Sequence, residues 1–519
     1  MKELARFGPY KYTALPENVT REEVQKRAQV WADRHKKAVR LALAVMALLA
    51  IVYFVFEFKR AAAATESSSC DSPNIGFQCD TEISHAWGQY SPYYAVPSSI
   101  SGAVPDGCAV TFAQVLSRHG ARDPTAGKSQ AYGALVDRIH ASVSEYNGRA
   151  GFIQDYEYTL GADELTAFGE QQMVNSGINF YRRYGHLVRE DEGDGISLFI
   201  RSAGQKRVVE SARKWTEGFH QSREADKNVK TPDGDNNDGY PYDILVIPEG
   251  TEYNNTLSDE LCTAFEKGPD TGKESQATWL DVFAPDIAER LNENLLPGAN
   301  LTLEETVYMM DLCPYNTVAD ANGRLSPFCA LFSPDEWHSY DYHESLGKWY
   351  GYGSGSALAP TRGVGFVNEL VARLTGRPVE DATSTNATLD DGAPPATFPL
   401  GRKLYADFSH DNDMSSIYAA MGLYNETDPL PETERRGPGK TGGYSASWSV
   451  PFAARMYVEK MACGGSSDDE EEFVRVIVND RVIPLQNCDA DELGRCRLSK
   501  YVESLSFARS GGHWDLCFA

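Results

Sequence analysis

The chain has 519 residues, 42% of them hydrophobic and 24% charged, with a formal net charge of −25. That length is too great for one hydrophobic core and allows two or three domains, and the balanced composition excludes a wholly disordered chain. The acidic balance disfavours nucleic acid and anionic membranes as partners and suits solubility at low pH.

Residues 1–40 hold ten Lys/Arg against five Asp/Glu, so the remainder carries −30. Arg34, Lys36, Lys37 and Arg40 stand just before an apolar run, and Leu41 to Phe56 has no charge at all. With its flanks the run reaches from Ala38 to Phe58, about the length that crosses a hydrocarbon core. The expectation is a cytoplasmic basic tail at 1–37, a single N-terminal transmembrane helix at 38–58, a linker at 59–69, and the bulk of the chain, 70–519, on the extracellular or lumenal side. Cleavage near Ala64, giving a secreted protein, is the alternative. All ten cysteines lie from Cys70 to Cys517, and none forms the paired C-x-x-C spacing of a zinc site. Five disulfides in an oxidising compartment are expected. Sequons at Asn254, Asn300, Asn386 and Asn425 mark surface loops open to glycosylation there, whereas the one at Asn18 would be silent.

Val110 to Leu116 is rich in β-branched and apolar residues and predicts a buried strand. It runs into Arg118-His119-Gly120-Ala121-Arg122-Asp123-Pro124. An imidazole between arginines, on a loop closed by Gly and Pro, is a poor structural plan, because the cations repel until an anion binds between them. It suits a phosphate trap with a nucleophile inside. A helix is predicted from about Ser129 to Tyr146, so the reactive residues sit past the carboxyl end of a strand, where open α/β sheets place ligands.

A second helical pattern runs between Gly161 and Tyr184. Ile196 to Ser202 then predicts a short strand ending in Arg201, followed by a helix carrying Val208, Ala212, Trp215 and Phe219. Taken alone, Arg201 reads as an ordinary surface arginine; paired with the first motif, it becomes a candidate third clamp on the same anion. The acidic run Asp233–Asp238 is not a calcium loop, since Asp238 stands where Gly belongs and Ile244 where Glu belongs. Leu257 to Lys348 is mostly helical pattern and reads as a helical subdomain. Gly351, Gly353 and Gly355 lack the G-x-G-x-x-G spacing and a leading strand, so they predict a turn before a helix over Thr361–Leu374. Residues 376–398 form a long loop. Lys403 to Asp411 is again a strand running into a loop and a helix, and it ends on the dipeptide His410-Asp411. Phe473–Val478 and Arg481–Leu485 alternate around Asn479-Asp480 and predict a hairpin.

Together, Arg118-His119-Gly120-Ala121-Arg122-x-Pro124, Arg201 after a strand, and His410-Asp411 resemble the pattern of the histidine acid phosphatases. Much of Cys70–Ala519 is similar to the fungal phytases of that family. The resemblance implies a large α/β domain with a mixed sheet flanked by helices (about 105–130, 195–256 and 355–519) and a smaller, mainly helical domain (about 131–194 and 257–354). It also implies disulfides Cys70–Cys79, Cys108–Cys463, Cys262–Cys517, Cys313–Cys329 and Cys488–Cys496. His119 would be the nucleophile, forming a phosphohistidine; Arg118, Arg122, Arg201 and His410 would bind the phosphate, and Asp411 would protonate the leaving alkoxide. Lys128 and Lys348 match rim positions that receive further phosphates of inositol hexakisphosphate. Three positions depart from the phytase pattern: Asp123 replaces an aromatic, Gly347 a lysine and Tyr352 a histidine. Each lowers the positive charge near the mouth.

The expected function is hydrolysis of phosphomonoesters such as inositol phosphates at acidic pH, with no cofactor and no metal. An acidic optimum follows because Asp411 must be protonated to donate and His410 binds anions best when charged. A broad-specificity acid phosphatase is the nearest alternative. A phosphotransferase or mutase, and a non-catalytic membrane-anchored binding ectodomain, are the other classes considered.

Overall fold

In the computed structural model the described residues are 70–72, 74–189, 198–228, 242–386, 397–464 and 471–519, with Glu22, Gln25, Lys26, Gln29 and Val30, which are helical and exposed. The expected anchor at 38–58 and the acidic run 233–238 lie outside them. The single-pass membrane placement is corrected. Among the described residues no helix is long and apolar enough to cross a membrane.

Within Cys70–Ala519 the main element is an eight-stranded mixed sheet. Its strands are β1 (Cys108–Arg118), β2 (Leu198–Ala203), β3 (Ile244–Ile247), β4 (Leu404–Ser409), β5 (Arg455–Cys463), β6 (Glu471–Val478), β7 (Arg481–Ile483) and β8 (Arg495–Arg497). They lie in the order β8-β6-β5-β1-β4-β2-β3, with β7 paired to β6. The half β1-β4-β2-β3 is parallel, and β5, β6, β7 and β8 are joined antiparallel. The β6–β7 hairpin turns on Asn479 (φ 48°) and Asp480 (φ 65°), two positive φ values at the residues that tolerate them best.

The helices that matter here are α1 (Ala126–Ser142), α2 (Ala167–Arg189), α3 (Lys206–Glu224), α4 (Thr271–Phe283), α5 (Leu303–Ala319), α6 (Pro334–Tyr352), α7 (Val364–Thr375) and α8 (Asp411–Ala420). Burial organises them around two cores. One packs sheet residues such as Val115, Ile200 and Phe408 against Met173 and Phe180 of α2 and Trp215 of α3. The other gathers Leu135 of α1, Met309 of α5 and Trp337 of α6. Helix α2, grouped above with the helical part, therefore contributes most of its apolar face to the sheet core.

Five disulfides close Cys70–Cys79, Cys108–Cys463, Cys262–Cys517, Cys313–Cys329 and Cys488–Cys496, the pairing that the family resemblance implies. Cys108 and Cys463 face each other in the β1–β5 ladder, so this bond staples the far end of the strand that carries the Arg-His loop.

Three strands of the sheet escape the sequence reading, β3, β5 and β8. Strand β5 lies between β1 and β6 and holds Arg455 and Glu459 among its apolar residues, which spoils any alternation. Glu459 is tolerated inside because Arg475 donates to it at 2.7 and 2.9 Å and the Tyr184 hydroxyl at 2.7 Å.

Candidate active site

The site grows from the register of two parallel strands. Arg118 at the end of β1 stands opposite Ser409 at the end of β4, so His119 and His410 leave the sheet side by side. Their rings are 5.7 Å apart, centre to centre. The His119 N–H donates to the Ser409 carbonyl at 3.2 Å, and Asp411 opens α8 one residue further on. Gly120 is required at the next position. A Cβ there would lie 2.3 Å from the Gly169 carbonyl oxygen, and that close approach lets the first turn of α2 support the loop. The Gly120 N–H donates to Ser211 Oγ of α3 at 3.1 Å, and the Ala121 N–H to Gln172 Oε1 of α2 at 2.9 Å.

His119 is buried, and its Nδ1 lies 2.8 Å from the Gly120 carbonyl oxygen. A carbonyl can only accept, so Nδ1 carries the proton and Nε2 keeps its lone pair. Burial holds His119 well below the ordinary imidazole range, helped by the charges of Arg118, Arg207 and Arg122 and by His410. The ring is thus neutral and nucleophilic even in acid.

Around it stand buried guanidiniums with unsatisfied N–H groups. Arg118 donates through Nη1 to the carbonyls of Gln89 and Val450, but its Nε and Nη2 make no hydrogen bond, and Nη2 lies 3.4 Å from Asp411 Oδ2. Arg122 donates from Nη1 to the Asp123 carbonyl at 2.7 Å, with Nε unsatisfied. Buried donors without acceptors cost about 1–3 kcal/mol each, a cost that an arriving phosphate oxygen removes.

Arg201, expected from the sequence as a third clamp, is held by buried carboxylates at the level of the sheet. Arg201 stands opposite Asp407, level with Leu116 and two residues back from the loop. Its Nε donates to Asp407 Oδ1 at 2.8 Å and its Nη2 to Glu369 Oε2 at 2.7 Å, with Arg373 completing the buried network on Asp407; only Nη1 makes no hydrogen bond. The guanidinium that acts on His119 is Arg207, in the first turn of α3. Arg207 has a buried, unsatisfied Nε, and among the described residues its one ion pair is a 3.6 Å approach to Asp163. Sequence reasoning passed over it because a cation at the start of an amphipathic helix looks like surface charge. The signal was its place six residues after Arg201, one loop beyond a strand tip. For Arg207→Gln, KM for a phosphomonoester is expected to rise about ten- to a hundredfold with the melting temperature nearly unchanged. Arg201→Met should instead destabilise the fold by about 3–5 kcal/mol by leaving buried carboxylates uncompensated. Steady-state kinetics and thermal unfolding of both variants check the assignment.

His410 Nε2 lies 3.1 Å from Glu249 Oε1, and the Gln205 N–H also donates to that oxygen at 2.8 Å. Asp411 Oδ2 accepts from Lys348 Nζ at 2.6 Å. Although burial opposes it, the charges of Arg118 and Lys348 hold the Asp411 carboxyl well below the usual carboxylate range. Lys348 also donates to Asn412 Oδ1 at 2.6 Å, so it is bound to the start of α8 as well as lining the rim. Lys128 is held on Asp311 at 3.0 Å. Lys128 and Lys348 line one cavity of about 470 Å³, together with Lys273, Glu304, Tyr308 and Glu344.

Among the described residues, the only cluster with metal-ligand spacing is Cys70, Asp71 and Cys79, whose sulfurs are already joined. The groups around His119 are N–H donors, a set that holds an anion.

The comparisons agree with this geometry. Residues 109–479 match the family described as histidine phosphatase superfamily (branch 2). Phytase A of Aspergillus oryzae is 48% identical over 92% of this chain and 100% of its own length. Phytase A of Emericella nidulans is 49% identical over 91% and 98%. Among solved structures, the phytase from D. castellii superposes with a TM-score of 0.66 at 22% identity, over 83% of this chain and 86% of that one. A Bifidobacterium longum multiple inositol polyphosphate phosphatase in complex with phosphate gives 0.58 at 15%, over 83% and 99%. With a catalytic loop, a fold and curated relatives that coincide in this way, the chain belongs to branch 2 of the histidine phosphatase superfamily.

Proposed function

We propose that this chain is an acid phosphomonoesterase that works through a phosphohistidine and takes inositol hexakisphosphate as a substrate. The observation that carries the reading is the bare Nε2 of His119 with unsatisfied guanidinium N–H groups on Arg118 and Arg122 of its own loop and on Arg207 at the start of α3. The phytase relatives support the choice of ester.

In this reading the phosphate settles on Arg118, Arg122, Arg207 and His410, and His119 Nε2 attacks phosphorus in line, forming an N–P bond as the P–O bond to the alkoxide breaks. Asp411 passes a proton to that alkoxide. Water then attacks the phosphohistidine and Asp411 recovers a proton from it. Before substrate arrives Asp411 is ionised, held so by Arg118 and Lys348. A phosphate dianion engaging those cations weakens their hold, so Asp411 can take up the proton it must give. The proton-bearing form is needed and is lost as pH rises, whereas His119 resists protonation in acid. The rate should therefore fall toward pH 8 and persist to about pH 3.

A broad-specificity phosphatase is the second reading, favoured by one feature. Both rim lysines are already paired with carboxylates, Lys128 with Asp311 and Lys348 with Asp411, which weakens the field available to distant phosphates. The test is kcat/KM for phytate against an aryl phosphate from pH 3 to pH 8. At least tenfold preference for phytate near pH 5 is expected; equal or lower efficiency on phytate would leave the second reading standing.

A further inference from the structure

The cavity beside the Asp411 carboxyl contains an acid that the proposed hydrolytic step does not use. Glu344 sits on α6, one turn before Lys348, and lines the cavity with Lys128, Lys273 and Lys348. It is buried, and its Oε2 accepts from Gln89 Nε2. The main-chain carbonyl of Gln89 in turn accepts from Arg118. The cavity has three lysines and the further acids Asp270 and Glu304 in its lining; an added carboxylate there opposes a polyanion, whereas a carboxylic acid in the same place would donate a hydrogen bond to it.

We infer that Glu344 is a specificity-determining residue that admits polyphosphate esters into the lysine cavity when protonated and repels them when ionised, a role that rests on the inositol-phosphate reading above.

The surroundings explain why the switch falls in a useful range. Burial and the nearby Asp311 of α5 push the Glu344 carboxyl up to about 7, against the pull of Lys128 of α1, the Gln89 amide and Lys348. Asp311 accepts from the hydroxyls of Tyr132 of α1 and Tyr340 of α6 and from Lys128, so much of the Lys128 charge is already spent on it. Tyr90, beside Gln89, is half-buried, and desolvation raises its hydroxyl further above its already high ordinary value, so it adds no charge. His343 Nε2 is 3.9 Å from Glu344 Oε1, but burial pulls that imidazole down to about 4, so it supplies no cation above that pH. At the acid pH where Asp411 can be reprotonated, Glu344 is neutral, and the cavity presents its lysines and a hydroxyl donor, with Glu304 also in the lining and Lys273 paired to Asp270 at 2.8 Å. Near and above neutrality it carries a negative charge that no neighbour cancels in full. Small esters, whose single phosphate is taken up at His119, do not reach across the cavity and should sense this charge weakly.

Inositol hexakissulfate is the probe, since its sulfate esters stay fully ionised across the range and any pH dependence must come from the protein. Its inhibition of aryl phosphate hydrolysis by the full chain is measured from pH 5 to pH 8. The wild-type inhibition constant is expected to rise about tenfold more steeply with pH than that of Glu344→Gln, and Glu344→Asp should keep the wild-type rise. The same rise in wild type and Glu344→Gln, or a loss of affinity in Glu344→Gln that is uniform from pH 5 to pH 8, would overturn the inference while leaving the polyphosphate reading intact. Loss of turnover in Glu344→Gln that Glu344→Asp restores would also overturn it, by giving the carboxyl a different duty. Absence of inhibition of the wild type at pH 5 would remove the polyphosphate reading itself, and this inference with it.

Discussion

Replacement of His119 by alanine is expected to lower kcat by about four orders of magnitude or more while the protein stays folded. The imidazole supplies a neutral nitrogen with a free lone pair among cations, and in the proposed scheme it is the group that forms the covalent intermediate. Arg118, Arg122, Arg207 and His410 would still bind phosphate, but an alanine methyl in place of the ring leaves no atom to attack phosphorus. Stability should change little. The one hydrogen bond of the ring runs to the carbonyl of the adjacent Gly120, and its closest aromatic neighbours are 5.7 and 6.2 Å away, centre to centre. The decisive measurement is acid-quenched labelling with a phosphate-labelled ester. Wild type should trap an acid-labile phosphoenzyme, and the alanine variant should trap none. Appreciable turnover in that variant would remove His119 from the role of nucleophile.

The second large effect is expected for Asp411→Asn, and it should depend on the leaving group. An alkoxide from inositol is a strong base and departs slowly without a proton, so kcat on phytate should fall about 10²- to 10⁴-fold. A nitrophenolate leaves unassisted, and its ester should lose far less. Affinity for inorganic phosphate should move the other way. In the wild type Asp411 is an ionised carboxylate 3.4 Å from Arg118 and 2.6 Å from Lys348. Taking away that negative charge leaves both cations for the incoming anion, so the inhibition constant for phosphate should drop. Equal losses on both esters would show that Asp411 orients Lys348 and Arg118 and has no part in proton transfer.

Much of this site is legible along the chain because its parts are contiguous. Arg118, His119 and Arg122 share one loop after a strand of apolar and β-branched residues, and His410 and Asp411 share another; β1 and β4 are found where those patterns place them. The hairpin around Asn479-Asp480 is legible for the same reason, since a local turn sets its register. Arg201 misled because strand, arginine and helix repeat the layout of the true site. Whether such an arginine faces the ligand or the core depends on how far its strand slides against β4, and the register leaves Arg201 two residues short, on Asp407. Arg207 had no strand pattern to announce it. Strand β5 was hidden by Glu459 and Arg455, charges admitted to the interior only because partners from distant parts of the chain meet them there. The apolar stretch at 38–58 shows the opposite failure, in which length and composition alone suggested a destination in the membrane.

What the sequence by itself determined is the chemistry: a histidine nucleophile between arginines, a histidine-aspartate pair after a second strand, and cysteines in numbers that suit an oxidised fold. These are short-range properties, carried by neighbours a few residues apart, and no folding is needed to read them. Only the tertiary structure decided that Arg201 is held on Asp407 and Glu369, that Lys348 is bound to Asp411, and that Glu344 lines a cavity with three lysines. Those outcomes depend on strand register, on the packing of α3 and α6 beside the loop, and on loss of solvent. Each is set by contacts between residues tens to hundreds of positions apart, and charges acquire their effect on one another only once that packing has excluded water.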